Sequence, residues 1–264
     1  MDITIHRLTE TDEQAYIRIF LDEGCYRLMY IGFTGGINLG DEYINRKERF
    51  GYWKDTAVMI KGDAVQSLTM LFLQMWNVSE LKKEKFEPYL TTMAKELKPE
   101  TGFVLPYGDS PYDHENVGEE VYVHILNHAK KYVHIMTPYL ILDNGMLDTL
   151  TRAAKSGIEV CIIMPHIPDK WYAFAVAKTY YRELIEAGVN IYEFTPGFVH
   201  AKVFVSDDDT ATVGTVNLDY RSLYLHFECG IFVYDNPVVH KIEKDFQAAS
   251  ARHRPPSSYG RPSR

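Results

Sequence analysis

The most constraining feature of the sequence is a regular alternation of helical and β-branched segments between residues 117 and 194. Apolar residues at helical spacing predict helices over 117–131, 144–155 and 169–187. Short β-branched runs predict strands over 132–136, 158–164 and 189–194. Strands that alternate with helices of this length form βαβ units with right-handed crossovers and a parallel core. The sequence therefore predicts an α/β fold.

The segments that flank this region carry weaker patterns. A strand is predicted over 53–60 and a helix over 63–76, whereas residues 1–30 show no firm period. Glycines and prolines within 102–116 predict a linker or loop. Residues 248–264 are rich in proline, serine and arginine, a composition that cannot bury a core and predicts a disordered tail.

Composition excludes several classes of protein. The chain has 264 residues and a formal net charge of -8, which makes it a poor candidate for non-specific nucleic-acid binding. Its three cysteines are too few and too scattered for a disulfide framework, which favours a reducing compartment. The sequence has no apolar run long enough to span a bilayer and no pattern typical of a signal peptide. We therefore expect a chain that is neither secreted nor membrane-spanning.

The segment around His200 and Lys202 is the strongest candidate for chemistry. Apolar residues alternate with these two, so a strand would place the apolar set in the core and His200 and Lys202 on the opposite face. An imidazole can attack phosphorus or transfer a proton, and an adjacent ammonium can neutralise phosphoryl oxygens. The pair therefore predicts a site for a phosphoryl group.

Further candidate residues follow along the chain. A strand predicted over 210–213 leads into a turn whose small residues would let backbone and hydroxyl donors approach a phosphate. Glu228 begins a predicted strand, and its carboxylate could hold an imidazole in one tautomer. The candidate catalytic residues are His200, Lys202, Asp207, Asn217 and Glu228. The candidate substrate-binding residues are Gly214, Thr215, Arg221, Ser222, Asn38 and Asp55.

The pattern His-x-Lys-x4-Asp-x6-Gly-Thr-x-Asn over 200–217 resembles the HKD motif of the phospholipase D superfamily. Within that superfamily the chain resembles bacterial cardiolipin synthases over residues 31–247. The matching stretches are 33–38, 40–43, 137–140, 197–202 and 214–223. The resemblance implies a mixed sheet flanked by helices, built as two related halves. It also implies phosphatidyl transfer between phosphatidylglycerol molecules, without a metal or other cofactor, at the cytoplasmic side of the cell membrane.

An internal repeat supports the two-half architecture. The Gly-x-x-Asn turn at 35–38 matches the one at 214–217, and Asp55 matches Glu228. The positions that would match His200, Lys202 and Asp207 hold Leu21, Glu23 and Leu28. We therefore interpret residues 31–101 as the remnant of a first half and 117–247 as a complete second half. A truncated or frame-shifted gene model, which is an error in the sequence record, is the hypothesis that best explains the missing first triad.

The resemblance also implies roles for the surviving residues. In the superfamily one histidine attacks phosphorus and the other serves as acid and base. The match makes His200 the acid and base, Asp207 a structural neighbour, and Asn38 and Asp55 surviving first-half residues. The implied partners are phosphatidylglycerol, other anionic phospholipid and a membrane surface. Two alternatives remain open: a single-motif phosphodiesterase or nuclease that acts as a homodimer, and an inactive fragment that binds lipid or a partner.

Overall fold

The computed structural model describes residues 4–6, 31–79, 81–90 and 101–254. The strands are β1 (Thr4–His6), β2 (Ile31–Gly35), β3 (Tyr52–Lys54), β4 (Ala57–Lys61), β5 (Phe103–Asp109), β6 (Tyr132–Met136), β7 (Leu140–Ile141), β8 (Glu159–Pro165), β9 (Asn190–Phe194), β10 (Gly197–Val199), β11 (Val203–Ser206), β12 (Thr210–Gly214), β13 (Leu218–Asp219), β14 (Glu228–Tyr234) and β15 (His253–Arg254). The helices are α1 (Ala64–Ser79), α2 (Val117–His128), α3 (Asn144–Lys155), α4 (Trp171–Ala187), α5 (Tyr220–Leu225) and α6 (Val238–Ser250), with a 3-10 turn at Glu87–Tyr89.

A mixed sheet forms the centre of the described structure, with the strand order β15-β9-β8-β6-β11-β12-β14-β5. Strands β6, β8 and β9 are parallel, and their neighbours on both sides are antiparallel. The predicted βαβ units are therefore confirmed, with α3 and α4 as the crossover helices. The predicted α/β fold, a mixed sheet flanked by helices, is confirmed as well.

Two hydrophobic cores lie on opposite faces of this sheet. Helices α2, α3 and α4 cover one face, with buried residues such as Ile125, Leu150 and Leu184. Helix α6 and the smaller sheet β1-β4-β2 cover the other face, where Phe246 and Ile60 are buried. Burying both faces of the sheet agrees with the near-continuous apolar runs of its central strands.

The internal repeat is visible in the register of strand pairing. Strand β2 pairs antiparallel with β4, with Gly35 opposite Ala57. Strand β12 pairs antiparallel with β14, with Gly214 opposite Gly230. These two pairs occupy matching positions of the sequence repeat, and each pair is followed by a helix, α1 or α6. The order of strands and helix within 31–79 therefore repeats that within 210–250.

The structure corrects the loop prediction for 102–116. Residues Phe103–Asp109 form β5, which pairs with β14 along its whole length. Pro106 is tolerated because β5 lies at the edge of the sheet, where a missing N–H leaves no ladder bond unmade. The glycines and prolines thus mark an edge strand and its turns.

Other segment boundaries also differ from the prediction. The strand predicted over 53–60 is divided into β3 and β4, which join different sheets. The predicted tail begins too early, because α6 continues to Ser250 and β15 pairs with β9. Most of residues 1–30 and all of 255–264 lie outside the described residues, so the predictions for those segments are not tested. Within the described residues, no helix has the length and apolarity needed to cross a bilayer.

Candidate active site

His200 and Lys202 lie in a break between two strands, which corrects the prediction of one continuous strand. Strand β10 ends at Val199 and β11 begins at Val203. The break arises because β10 pairs with β3, whereas β11 pairs with β6 and β12 in the main sheet. The apolar residues of the pattern are nevertheless buried in one core, as predicted: Val199, Ala201, Val203 and Val205.

The parallel pairing of β3 with β10 brings Asp55 to His200. Phe198 lies opposite Trp53 in this pair, and the backbone N–H of His200 donates to the carbonyl of Lys54 at 2.7 Å. The Nδ1 atom of His200 then lies 2.9 Å from Oδ2 of Asp55, whose side chain is only 2% exposed. Asp55, assigned to substrate binding from the sequence, is therefore the carboxylate that holds the imidazole.

The electrostatics of this pair favour a neutral imidazole. Burial and the adjacent Lys202 charge lower the pKa of His200, and together they outweigh the opposing effect of Asp55. Burial acts against ionisation of Asp55, but the hydrogen bond from His200 and the Lys202 charge hold its pKa below the usual value. A neutral imidazole that donates Nδ1–H to Asp55 keeps its lone pair on Nε2. That nitrogen can accept a proton or attack phosphorus.

Lys202 lies against the same imidazole. Its Nζ is 2.9 Å from Nδ1 and 3.0 Å from Nε2 of His200, and it donates to the carbonyl of His200. The residue is 4% exposed, and this burial lowers the pKa of Lys202 to about 8 in spite of surrounding carboxylates. Lys202 can supply a positive charge beside Nε2, where the oxygens of a phosphoryl group would lie.

Glu228 lies in a separate cluster of polar side chains. Its carboxylate accepts hydrogen bonds from Ser222 Oγ at 2.6 Å and from the Thr215 hydroxyl. Asn217 donates to Ser222 Oγ at 2.9 Å. Burial raises the pKa of Glu228, although its two hydroxyl donors oppose the shift. Among the described residues Glu228 makes no hydrogen bond with His200, so the imidazole that Glu228 is predicted to hold is not that of His200.

The turn at 214–217 was predicted to offer backbone donors to a phosphate, but its amides bind other backbone groups. The backbone N–H of Gly214 donates to the carbonyl of Lys202 at 3.3 Å, and that of Thr215 donates to Cys229 at 2.8 Å. A side chain at Gly214 would collide with the backbone of β14. The small residues therefore allow β12 and β14 to approach closely, and these two amides are not free to bind a phosphate.

Two further candidates lie toward solvent. Arg221 is exposed and donates from Nε to Nε2 of His226 at 2.7 Å. Asn38 is exposed and donates to Tyr43 Oη at 2.9 Å. The Tyr43 ring meets the His200 ring edge-on at 5.4 Å, so Asn38 reaches the imidazole only through Tyr43.

Asp207 has a structural position at the far end of β11 from Lys202. Its carboxylate accepts from the backbone N–H groups of Lys130, Lys131 and Tyr132 at 2.6, 2.9 and 3.0 Å. Its own backbone is left-handed, with φ of 54°. These contacts support a role in fixing the turn between β11 and β12 and give Asp207 no contact with the imidazole.

Aromatic side chains that the sequence motif did not predict surround His200. The ring centroids of Trp53 and Phe198 lie 5.3 Å and 5.9 Å from the imidazole. Gly36 has a further role that was not predicted, because a side chain there would collide with Asp55 and would meet the carbonyl of His200 at 2.7 Å. Trp53 stands two residues before Asp55, but only the β3–β10 pairing shows that it faces the site.

Comparison with known proteins shows which proteins this chain resembles. A family model described as "Cardiolipin synthase, PLD-like domain" matches residues 122–249. An uncharacterized protein of Streptococcus mutans is 59% identical over 217 residues, which are 82% of this chain and 47% of that relative. Cardiolipin synthase 2 of Bacillus anthracis is 40% identical over 216 residues, which are 82% of this chain and 42% of that relative. Residues 122–249 thus match the PLD-like domain of cardiolipin synthases, and the chain resembles these proteins over most of its length.

A solved structure shares this fold. Phosphatidylserine synthase of Haemophilus influenzae, a solved structure, superposes with a TM-score of 0.63 at 15% identity and covers 86% of this chain and 61% of that chain. The PLD-like domain at 122–249 includes β6 to β14, His200, Lys202 and Glu228. Asp55 lies outside that match but makes the closest carboxylate contact with His200. The chain spans less than half the length of the curated relatives described above.

Proposed function

We propose that the chain forms part of a phosphatidyltransferase of the cardiolipin synthase type. The reaction converts two phosphatidylglycerol molecules into cardiolipin and glycerol. The hydrogen bond between His200 and Asp55, with Lys202 beside the imidazole, is the observation that carries the proposal. The similarity to cardiolipin synthases over 82% of this chain supports the choice of substrate.

The reaction takes place in two steps, which form and then consume a phospho-histidine. A histidine Nε2 attacks phosphorus, the bond from phosphorus to the headgroup glycerol breaks, and the leaving oxygen takes a proton from the second histidine. The same second histidine then removes a proton from the hydroxyl of another phosphatidylglycerol. That oxygen attacks the phospho-histidine and releases the first histidine. We assign His200 to the acid and base role: as the imidazolium it gives its Nε2 proton to the leaving oxygen, and as the neutral imidazole it takes the proton of the incoming hydroxyl. We assign Lys202 to neutralising the phosphoryl oxygens.

The first-half nucleophile is the missing part of this site. The matching position holds Leu21, which lies outside the described residues. Glu228 matches Asp55 in the repeat, and we propose that its carboxylate is placed to hold a histidine of a first half as Asp55 holds His200. Because a histidine other than His200 must act as the nucleophile, we expect the chain alone to turn over slowly.

Product analysis tests this function directly. The purified chain is incubated with phosphatidylglycerol vesicles, with a His200→Ala chain as the matched control, and cardiolipin and glycerol are measured by mass spectrometry. Slow formation of both products by the unchanged chain, abolished in the variant, supports the proposal. Equal yields from the two chains, or no product at high protein concentration, overturn it for this chain.

The homodimeric nuclease alternative meets an obstacle in the structure. The side of the imidazole that a second copy would approach is occupied by the chain's own Asp55, Tyr43 and Trp53. A dimer that joins two His200 residues would have to displace them. Hydrolysis of a simple phosphodiester or of DNA, by a chain whose mass in solution is that of a dimer, would favour this alternative over the synthase.

A further inference from the structure

A tyrosine and an aspartate near the site form a hydrogen-bonded pair that the reaction described above does not use. Tyr139 donates from Oη to Oδ2 of Asp169 at 2.6 Å, and both side chains are partly buried. Tyr139 lies between β6 and β7, and Asp169 lies between β8 and α4. The loops that follow two neighbouring parallel strands therefore meet at this pair. The carboxyl ends of parallel strands are where open α/β sheets bind their ligands.

Strand pairing places Tyr139 next to the polar cluster that includes Glu228. Strand β7 pairs in parallel with β13, and Leu140 lies opposite Leu218. The residues one place earlier, Tyr139 and Asn217, therefore also lie side by side. Asn217 is a member of the Glu228 cluster, so Tyr139 borders that side of the site.

The pair also lies close to Lys202 and His200. Burial lowers the pKa of Lys202, and the Asp169 carboxylate is one of the charges that oppose this shift. Tyr43, whose ring meets the His200 ring edge-on at 5.4 Å, adds to the effects that raise the pKa of Tyr139. The pair therefore borders the position beside Lys202 where the oxygens of a phosphoryl group would lie.

The pair presents oxygen atoms that accept hydrogen bonds. The Tyr139 hydroxyl gives its proton to Asp169, and burial and this contact raise the pKa of Tyr139 so that it stays protonated. Its donor is thus used, while the lone pairs of Oη remain. Oδ1 of Asp169 has no hydrogen-bond partner among residues 31–79, 81–90 and 101–254. A hydroxyl group is a donor that fits this carboxylate oxygen without adding charge.

Charge disfavours two other kinds of ligand. The Asp169 carboxylate repels a phosphate, which is attracted to Lys202 instead. An ammonium would suit the carboxylate and the Tyr139 ring, but Lys170 already lies over that ring, with Nζ 5.1 Å from its centroid. The pair therefore fits a neutral alcohol that carries a hydroxyl next to the reacting oxygen.

We propose that Asp169 accepts a hydrogen bond from the central hydroxyl of the reacting glycerol group, and that Tyr139 holds the carboxylate in place for this contact. The inference rests on the proposed function and deepens it, because it names the residues that select the alcohol. In the first step the leaving glycerol carries a free hydroxyl on the carbon next to the broken bond. In the second step the accepting headgroup carries one next to the bond that forms. One subsite serves both alcohols, because both occupy the same side of phosphorus.

Two matched phosphodiesters test the proposal. Glycerol methyl phosphate and its analogue without the central hydroxyl each carry one negative charge and differ only in that group. In calorimetric titration the unchanged chain should bind the glycerol diester roughly tenfold more tightly, because the analogue makes one hydrogen bond fewer to a charged group. Equal affinities, or no binding of either diester, overturn the proposal.

Variants separate recognition of the hydroxyl from a merely structural role of the pair. Asp169→Ala should reduce the preference to less than about twofold, and Tyr139→Phe should reduce it in part. Both variants should still bind the analogue, since binding of the phosphate depends on Lys202. A tenfold preference retained in Asp169→Ala, or in Tyr139→Phe if the alanine variant fails to fold, would overturn the assignment.

A similar pair at the other end of β6 provides the matched control. Tyr132 donates to the Asp208 carboxylate at 3.0 Å and begins the strand, whereas Tyr139 follows its end. Tyr132→Phe should keep the full preference for the glycerol diester. A loss of preference as large as that of Tyr139→Phe would show that the hydroxyl is not read at Asp169.

Two further outcomes separate this inference from its alternatives. Tighter binding of methyl phosphoethanolamine than of glycerol methyl phosphate would overturn selection of an alcohol in favour of an ammonium. A chain that prefers the glycerol diester through Asp169 but forms no cardiolipin would reject the proposed function and leave the hydroxyl subsite supported.

Discussion

The carboxylate of Asp55 lies 2.9 Å from Nδ1 of His200, although 145 residues separate the two in the sequence. Asp55 lies between β3 and β4, and His200 lies in the PLD-like domain at 122–249. The link depends on three paired residues of β3 and β10. The imidazole of that domain is thus oriented by a carboxylate from outside it.

Replacing Asp55 by Asn tests this orientation. The carboxylate raises the pKa of His200 against the larger effects of burial and Lys202, so its loss should lower that pKa further. The amide can also accept the Nδ1 proton or donate to Nδ1, so the fixed tautomer should be lost. NMR of the His200 ring nitrogens measures both effects. Glu228→Gln is the control, and a His200 spectrum changed as strongly by that variant would contradict the assignment.

The pKa of Lys202 predicts how anion binding depends on pH. Below about pH 8 the ammonium is charged, and above it the amine is neutral, so affinity for a phosphodiester should fall as the pH rises through about 8. Glycerophosphoglycerol is a suitable probe, because its phosphodiester keeps one charge throughout this range. Calorimetric titration measures the affinity. In Lys202→Arg the fall should disappear, because a guanidinium stays protonated, and an unchanged fall in that variant would assign the titration to another group.

The same shift predicts a change of stability with pH. The folded chain binds fewer protons at Lys202 than the unfolded chain between about pH 8 and the usual lysine value of 10.5. The contribution of Lys202 to the free energy of unfolding should therefore rise with pH across this window. Denaturant unfolding measures this contribution as the free energy of unfolding of the unchanged chain minus that of Lys202→Met. If this difference fell as the pH rises, the predicted sign would be wrong.

Gly36→Ala should disrupt the site from the backbone side. The added methyl group collides with the Asp55 carboxylate and meets the His200 carbonyl at 2.7 Å, so we expect a loss of about 1–3 kcal/mol in the free energy of unfolding. Gly145→Ala is the matched control, because its new methyl group comes no closer than 3.3 Å to another atom. Thermal and denaturant unfolding measure both variants. If Gly36→Ala and Gly145→Ala had similar free energies of unfolding, the turn at Gly36 would have to shift to accommodate the methyl group.

Asp245→Ala should weaken the attachment of the segment that carries β3 and β4 to helix α6. Asp245 accepts from Lys54 Nζ and from Thr56 Oγ1, each at 2.7 Å, and Lys54 is 8% exposed. Its loss leaves a buried ammonium without a carboxylate, which should cost about 1–3 kcal/mol, since Asp245 itself is partly exposed. Glu186→Ala removes the exposed pair with Arg182 and should cost about 0.5 kcal/mol or less. Equal costs would mean that the buried pair contributes no more than a surface pair.

The sequence predicted the PLD-like domain closely because its signals are local. Period-two and period-3.6 patterns predict the strands and helices of 117–194 to within a few residues at each end. The repeat predicted that Asp55 and Glu228 are related, because the residues of each copy of the motif lie close together in the sequence and can be aligned. The loop predicted over 102–116 failed for the opposite reason, since an edge strand is stabilised by a partner more than a hundred residues away.

Sequence by itself determined the fold class, the pairing of His200 with Lys202 in one motif, and the two-half plan. Tertiary structure alone decided which carboxylate serves the imidazole. Glu228 is nearer to His200 in the chain, but its carboxylate is held by Ser222 and Thr215, whereas β3 carries Asp55 to the ring. A hydrogen bond depends on distance in space, and only the pairing of distant strands sets that distance.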